Sequence, residues 1–168
     1  CKVLALAASK SSSENMMKRW VSLLNETLNS EMDLHRNFCK DFGISISNLE
    51  KTIADTSTKN YCDFLIENAN QGSEKFIAVS LLPCQWGYQE IAQNFLKNKF
   101  ETDSFHKIWI DSYSSQEYQD VTNWLINHVD EIGKNSNNKE VEKYKQLFRS
   151  GIEYEIGFWD SAWNFSNK

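Results

Sequence analysis

Apolar residues recur every three or four positions along most of the chain, and polar residues fill the positions between them. This spacing places the apolar side chains on one face of an α-helix, whereas a half-buried strand would alternate strictly. The sequence contains neither turn-bounded alternation nor an internal repeat. The predicted helices run through residues 2–9, 14–38, 58–69, 74–96 and 105–111, with a short turn of helix before Ile53. Two more helices are predicted to begin at Ser114 and Asn137 and to run through Val129 and Ala162.

Several helix starts are marked by a polar residue followed three positions later by glutamate. Such a pair forms a capping box, in which each side chain accepts a hydrogen bond from a free backbone N–H of the other residue. The pairs are Ser11 with Glu14, Ser114 with Glu117 and Asn137 with Glu140. Six glycines and one proline in 168 residues are roughly a third of average usage, so turns are few. These features predict an all-α bundle that forms a single domain over residues 1–168.

The net charge of −5 comes from acidic and basic residues that are interspersed along the chain. Without a basic stripe to neutralise phosphates, neither nucleic acid nor an anionic membrane is a predicted partner. Apolar runs stay shorter than the roughly 18 residues of a membrane span, and the first residues lack the order of a secretory signal. The four cysteines, Cys1, Cys39, Cys62 and Cys84, form no CxxC pair, so we predict reduced thiols in a cytoplasmic protein.

The single proline, Pro83, lies inside a predicted helix and directly precedes Cys84. Proline in that position removes one backbone hydrogen bond and predicts a kink, which would open the helix surface next to the cysteine. Tyr88 follows Cys84 by four positions, so the phenol and the thiol share one helical face. Two interpretations remain open: a reactive thiol facing a cavity, or a small buried side chain, the usual state of a free cysteine.

A carboxylate interrupts the apolar face of the last predicted helix. Glu155 shares this face with Gly151, Phe158 and Ala162. Burying a carboxylate without a partner is costly and raises its pKa toward neutrality, and such a group suits general acid–base catalysis near pH 7. The alternative is a glutamate at the edge of the face with its carboxylate in water.

Two other helical patterns carry no predicted chemistry. Glu31, His35 and Cys39 lie four apart on one face and are all metal-ligand types. The paired Glu-x-x-His motif of di-iron bundles is missing from the sequence, however, so no metal site is predicted. Trp159 and Trp163 are also four apart, and we predict that they pack in the core.

Four short motifs follow one another along the chain: Ala5-Leu6-Ala7-Ala8, Leu82-Pro83-Cys84-Gln85-Trp86-x-Tyr88, Trp109-Ile110-x-x-Tyr113 and Tyr154-Glu155-x-x-Phe158-Trp159. Their order and approximate spacing resemble those of the TenA family, also called thiaminase II or aminopyrimidine aminohydrolase. The resemblance covers essentially the whole chain. The second and fourth motifs together are its most specific part.

This resemblance implies an all-helical, heme-oxygenase-like fold that assembles as a homotetramer and uses no metal or organic cofactor. The implied partner is a small-molecule pyrimidine. The implied reaction is a step of thiamin salvage that converts 4-amino-5-aminomethyl-2-methylpyrimidine to the hydroxymethyl pyrimidine and ammonia. Thiamin itself is implied as a second, often poorer, substrate.

The resemblance also implies roles for individual residues. Cys84 is similar to the family's nucleophile, and Glu155 to the acid/base that protonates the leaving amine and activates water. Four positions match substrate-binding residues of the family. Tyr61 matches a tyrosine that is hydrogen-bonded to the glutamate, and Tyr88 and Tyr113 match polar pocket residues near the thiol. Phe158 matches the aromatic surface that stacks on the pyrimidine.

One feature of the family is missing from these 168 residues. Upstream of Ala5-Leu6-Ala7 the family carries a helix with a Gln-Asp-Tyr-containing motif, whose aspartate binds the pyrimidine. The chain starts at Cys1 with no capping residue before its first helix, so we expect an N-terminal helix or helices to be missing from it. For a chain without that aspartate, the alternative is a non-catalytic TenA-like protein that binds a pyrimidine or serves as an interaction module.

Overall fold

The computed structural model describes residues 1–166. Within this range the chain forms helices and no strand, which confirms the all-α prediction. The chain divides into two compact units, Cys1–Glu74 and a second unit that begins at Lys75. The single domain over residues 1–168 remains a prediction.

The first unit consists of helices joined by short connections, namely α1 (Lys2–Ser9), α2 (Glu14–Glu26), a π-helical segment (Thr27–Glu31), α3 (Met32–Asp41), α4 (Ile46–Lys51) and α5 (Thr56–Gln71). The helix predicted over 14–38 therefore continues to residue 41, but with a π-helical turn between α2 and α3. Because a π turn closes its hydrogen bonds over five residues instead of four, it shifts the positions that share a face. A strict 3.6-residue period consequently fails across this segment.

Two of the three predicted capping boxes form differently. The N-cap of α2 is Ser13, whose hydroxyl accepts from the backbone N–H of Met16, while the hydroxyl of Ser11 donates to the Ala7 carbonyl at the end of α1. In each case the chain offers consecutive serines, and the predicted one closes the preceding helix instead of opening the next.

The same difference from the prediction occurs at Ser114 and Ser115. Ser115, not Ser114, accepts from the backbone N–H of Tyr118, and the hydroxyl of Ser114 donates to the Ile110 carbonyl. The third box is confirmed by reciprocal hydrogen bonds, 2.9 Å from the Asn137 N–H to the Glu140 carboxylate and 3.1 Å from the Glu140 N–H to the Asn137 side-chain oxygen.

Two polar side chains tie the first unit together. The Lys10 ammonium donates to the carbonyl oxygens of Ala69 (2.6 Å) and Gly72 (2.7 Å) at the C-terminal end of α5. A cation is favourable there because the last carbonyls of a helix carry the negative end of its dipole. The indole N–H of Trp20 donates to the carboxylate of Glu74 at 2.7 Å, and both residues are buried. This bond offsets part of the cost of removing the carboxylate from water.

The second unit contains the longest helices, α6 (Glu74–Asn98), α7 (Ser104–Tyr113), α8 (Gln116–Lys134) and α9 (Asn138–Ser166). Helix α6 begins with the last residue of the first unit and continues without interruption through Pro83. The kink predicted at this proline remains a prediction. The N-terminus of α7 is capped by Asp103, and hydrogen bonds from the backbone N–H and the ring of His106 hold the pKa of this exposed carboxyl below its ordinary value.

Contacts of α6 give the order and direction of the other helices in the unit. Helix α8 runs antiparallel to α6, since the Gln85 amide donates to the Thr122 hydroxyl at 3.1 Å while earlier residues of α6 share a small cavity with later residues of α8. Helix α9 runs parallel to α6, because residue pairs advance together along both helices. These pairs are Phe76 with Tyr144, Pro83 with Gly151, and Tyr88 with Trp159.

Candidate active site

Helices α6 and α9 line a cavity of about 620 Å³ that is open to solvent and includes Pro83 in its wall. Its volume lies within the roughly 300–1,000 Å³ that is typical of small-molecule sites. The cavity walls include Trp86, Tyr88 and Ile91 of α6, together with Glu155, Ile156 and Trp159 of α9. Apolar and aromatic side chains therefore form most of the surface that this cavity offers to a ligand.

Glu155 is the predicted catalytic residue that lies directly on the cavity wall. It is half-buried and faces the same space as Pro83 and Tyr88 of α6. Cys84 is half-buried as well, directly after Pro83 and one helical turn before Tyr88. Glu155 therefore shares the cavity with Pro83 and Tyr88, whereas Cys84 is not among the described residues that form its wall. Glu155 is therefore intermediate between the two predicted alternatives, a fully buried carboxylate and a carboxylate in water at the edge of the face.

Three of the predicted substrate-binding residues belong to one aromatic cluster. The Tyr88 ring lies 5.0 Å from the ring of Tyr113 and 5.7 Å from that of Trp159, measured between centroids. Phe158 meets Trp159 edge to face at 6.2 Å. Trp109 packs against Tyr113 at 4.6 Å. These separations are those of stabilising aromatic pairs, so α6, α7 and α9 are linked through this cluster.

Tyr88 is central to the cluster, and we expect Tyr88→Ala to lower the free energy of unfolding by about 2 kcal/mol or more, because it removes a packed ring and leaves a cavity. Tyr88→Phe keeps the ring and removes only the hydroxyl, so we expect a loss of about 1 kcal/mol or less. Urea unfolding followed by far-UV circular dichroism measures both values. Equal losses for the two variants would contradict a packing role for the ring.

Tyr61 lies in the other unit. It is half-buried on α5, with its ring centroid 6.4 Å from that of Phe64. Its hydrogen bond to the glutamate, which the resemblance implies, remains a prediction.

The prediction that Trp159 and Trp163 pack in the core is wrong. Their exposed fractions are 41% and 72%, and Trp159 lines the cavity. The four-residue spacing correctly places both on one face of α9, but the period of a helix does not say whether that face meets a neighbour. Trp86 is not among the predicted site residues, yet it forms part of the cavity wall. Its indole N–H donates to the carboxylate of Glu90 at 2.8 Å.

Other candidate features of the sequence lie outside this cavity. Within residues 1–166 no group of three His, Cys, Asp or Glu side chains is arranged to hold a metal ion, Glu31, His35 and Cys39 included. The four cysteines, all within the described range, are not paired in disulfide bonds. Across the same range, every helix falls short of the length and apolar character that a bilayer-spanning segment requires.

Comparison with known proteins shows the family to which this chain belongs. A family model described as the TENA/THI-4/PQQC family matches residues 1–165. The chain belongs to this family. The resemblance inferred from the four motifs is thereby confirmed, and TENA/THI-4/PQQC membership accounts for the order in which they occur.

Similar proteins within the family include two named aminopyrimidine aminohydrolase, each 34% identical to this chain over 164 residues. The match with the Helicobacter pylori protein covers 96% of this chain and 75% of the relative. The match with the Halalkalibacterium halodurans protein covers 97% and 73%. A solved structure from Silicibacter sp. TM1040, described as a TenA family transcription regulator, has a TM-score of 0.86 and 27% identity and covers 95% of this chain and 73% of that one.

Proposed function

We propose that this TENA/THI-4/PQQC family member is an aminopyrimidine aminohydrolase of thiamin salvage. In the proposed reaction, 4-amino-5-aminomethyl-2-methylpyrimidine and water give the hydroxymethyl pyrimidine and ammonia. The names of the two relatives at 34% identity support this activity. The structural observation that carries it is the cavity that Glu155 shares with Pro83 and Tyr88, which come before and after Cys84 on α6.

The proposed mechanism begins with covalent addition of the Cys84 thiolate to the pyrimidine ring. The new carbon–sulfur bond interrupts the aromaticity of the ring and lets the exocyclic amine depart. Glu155 gives this amine a proton, so that it leaves as ammonia. Water then adds to the exposed methylene carbon and returns a proton to Glu155, and expulsion of the thiolate restores the aromatic ring. One difficult displacement is thereby divided into easier steps.

The remaining predicted residues bind the substrate in this proposal. Phe158 offers its ring as a stacking surface for the pyrimidine, and the phenols of Tyr88 and Tyr113 supply polar contacts near the thiol. Tyr61 orients the Glu155 carboxyl through a hydrogen bond. The proposed steps use only these side chains and water. We further propose thiamin as a second substrate, a homotetrameric assembly and a cytoplasmic location.

A direct role in transcription is a weaker interpretation for this chain. The Silicibacter relative is described as a regulator. Here, however, the net charge is −5 and acidic residues are interspersed with the basic ones. Because contact with DNA depends on neutralising phosphates with lysine and arginine, this charge distribution favours the enzyme over a DNA-binding protein.

The test is incubation of the protein with the aminomethyl pyrimidine while ammonia and the hydroxymethyl product are measured together. We expect the two products in equal amounts and at a rate proportional to protein concentration. The same assay with thiamin compares the two substrates. Binding of the pyrimidine by calorimetry without release of either product would overturn the hydrolase and favour a non-catalytic pyrimidine-binding protein.

A further inference from the structure

The contact between Gly151 and Pro83 is the tightest feature of the candidate site. A Cβ built on Gly151 would lie 2.7 Å from Cγ and 3.3 Å from Cβ of Pro83, and 3.5 Å from the Ser80 carbonyl oxygen. Ordinary contact of a Cβ begins near 3.4 Å, so the nearest ring atom would have to withdraw by about 0.7 Å. Both residues are buried. A proline ring is closed onto its own backbone, so it cannot move aside as a flexible side chain can.

This contact lies beside both proposed catalytic groups. Cys84 is the next residue after Pro83 on α6, and Glu155 lies one helical turn after Gly151 on α9. Because the two helices run parallel, both groups lie on the same side of the contact along the helix axes. The spacing of the helix backbones at Gly151 therefore contributes to the distance between the segments of α6 and α9 that carry the thiol and the carboxyl group.

We propose that Gly151 is a positioning residue, whose missing side chain lets α9 approach α6 closely enough for Glu155 to serve the substrate bound at Cys84. The proposal rests on the proposed hydrolase function. It predicts that added volume at position 151 displaces the catalytic helices relative to each other while the residues that touch the substrate stay unchanged. Displacement of about 1 Å in a catalytic geometry can lower a rate by roughly 10²-fold.

The variant that tests this is Gly151→Ala. We expect kcat for ammonia release to fall by about 10- to 100-fold and KM to change by less than about threefold, since binding contacts persist while the proton-transfer distance grows. The wild-type protein is measured in the same assay. A merely structural role would lower the melting temperature and the amount of folded protein, while kcat per folded molecule would stay at the wild-type value.

A matched control lies six residues further along the same helix. A Cβ built on Gly157 meets no atom within 4 Å, so Gly157→Ala makes the same chemical change in α9 without pressing on a neighbour. Because both variants gain the same helix propensity, the difference between them isolates the contact with Pro83. We expect Gly157→Ala to keep the wild-type kcat within about twofold.

A second variant keeps the test valid if Gly151→Ala folds poorly. Pro83→Ala removes the ring atom at 2.7 Å, so the double variant Gly151→Ala/Pro83→Ala relieves the closest contact. We expect the kcat of the double variant to equal or exceed that of Gly151→Ala. We also expect Gly151→Ala to lower kcat less in the Pro83→Ala background than in the wild-type protein, which is positive coupling in a double-mutant cycle.

The outcomes separate this inference from the function on which it rests. If the wild-type protein and Gly157→Ala release ammonia, and Gly151→Ala does so at the same rate, the positioning role is overturned and the hydrolase stands. If Gly151→Ala loses activity only in proportion to its folded fraction, or the double variant shows no coupling, the role is also overturned. If the wild-type protein releases no ammonia, the hydrolase fails, and the positioning role fails with it.

Discussion

Replacement of Cys84 by serine is expected to lower kcat for ammonia release by about 10³-fold or more, the scale on which the loss of a nucleophile acts. A hydroxyl is scarcely ionised near neutral pH, whereas a thiol supplies a few per cent of an intrinsically strong thiolate nucleophile. Serine is close to cysteine in shape, so we expect helix content and melting temperature to change little. Steady-state ammonia release and far-UV circular dichroism measure the two effects.

The matched control for this variant is Cys39→Ser, which makes the same exchange at another half-buried helical cysteine. We expect it to retain full activity. Unchanged turnover in Cys84→Ser would reject covalent catalysis by this thiol. Equal losses in both variants would attribute the effect to the general removal of thiols and not to one nucleophile.

Replacement of Glu155 by glutamine is the second change with a large expected effect. An amide of almost the same shape can neither protonate the leaving amine nor accept a proton from water, so we expect kcat to fall by about 10²- to 10⁴-fold. Substrate affinity should change far less, because glutamine preserves the polar surface of the cavity. The limb of the pH–rate profile that reports this carboxyl group should also disappear, which ammonia release measured across a range of pH would reveal.

Glu153→Gln removes the same charge at an exposed position two residues earlier on α9. It should leave both kcat and the pH profile unchanged. If Glu155→Gln retains the wild-type profile, a different group transfers the proton.

Cys84→Ser and Glu155→Gln test a different property of the site from Gly151→Ala. The first two remove a reacting group and leave the helices where they are. The third keeps both groups and changes the spacing of the backbones that carry them, since Gly151 contacts the ring that precedes Cys84. A larger loss of kcat in Cys84→Ser than in Gly151→Ala is therefore expected.

Much of the local structure follows from the sequence alone. The apolar period predicts the helices, and the observed α6 (Glu74–Asn98) extends the predicted range by only two residues. The Asn137–Glu140 box forms as predicted, with a hydrogen bond in each direction. Where consecutive serines compete, as at Ser11 and Ser13, the end of the preceding helix decides which hydroxyl caps which helix.

For the candidate site, too, some relations between residues follow from the sequence and others only from the tertiary structure. The sequence by itself determined that Cys84 and Tyr88 share a face of one helix, and Glu155 and Phe158 a face of another, because helix geometry fixes the relation of residues three and four apart. Only the tertiary structure decided that Glu155 faces α6 across a cavity, that Trp159 is partly exposed on its wall, and that Gly151 packs against Pro83. The physical reason is that a helical period identifies an apolar face, whereas the neighbour of that face depends on how side chains of distant segments pack.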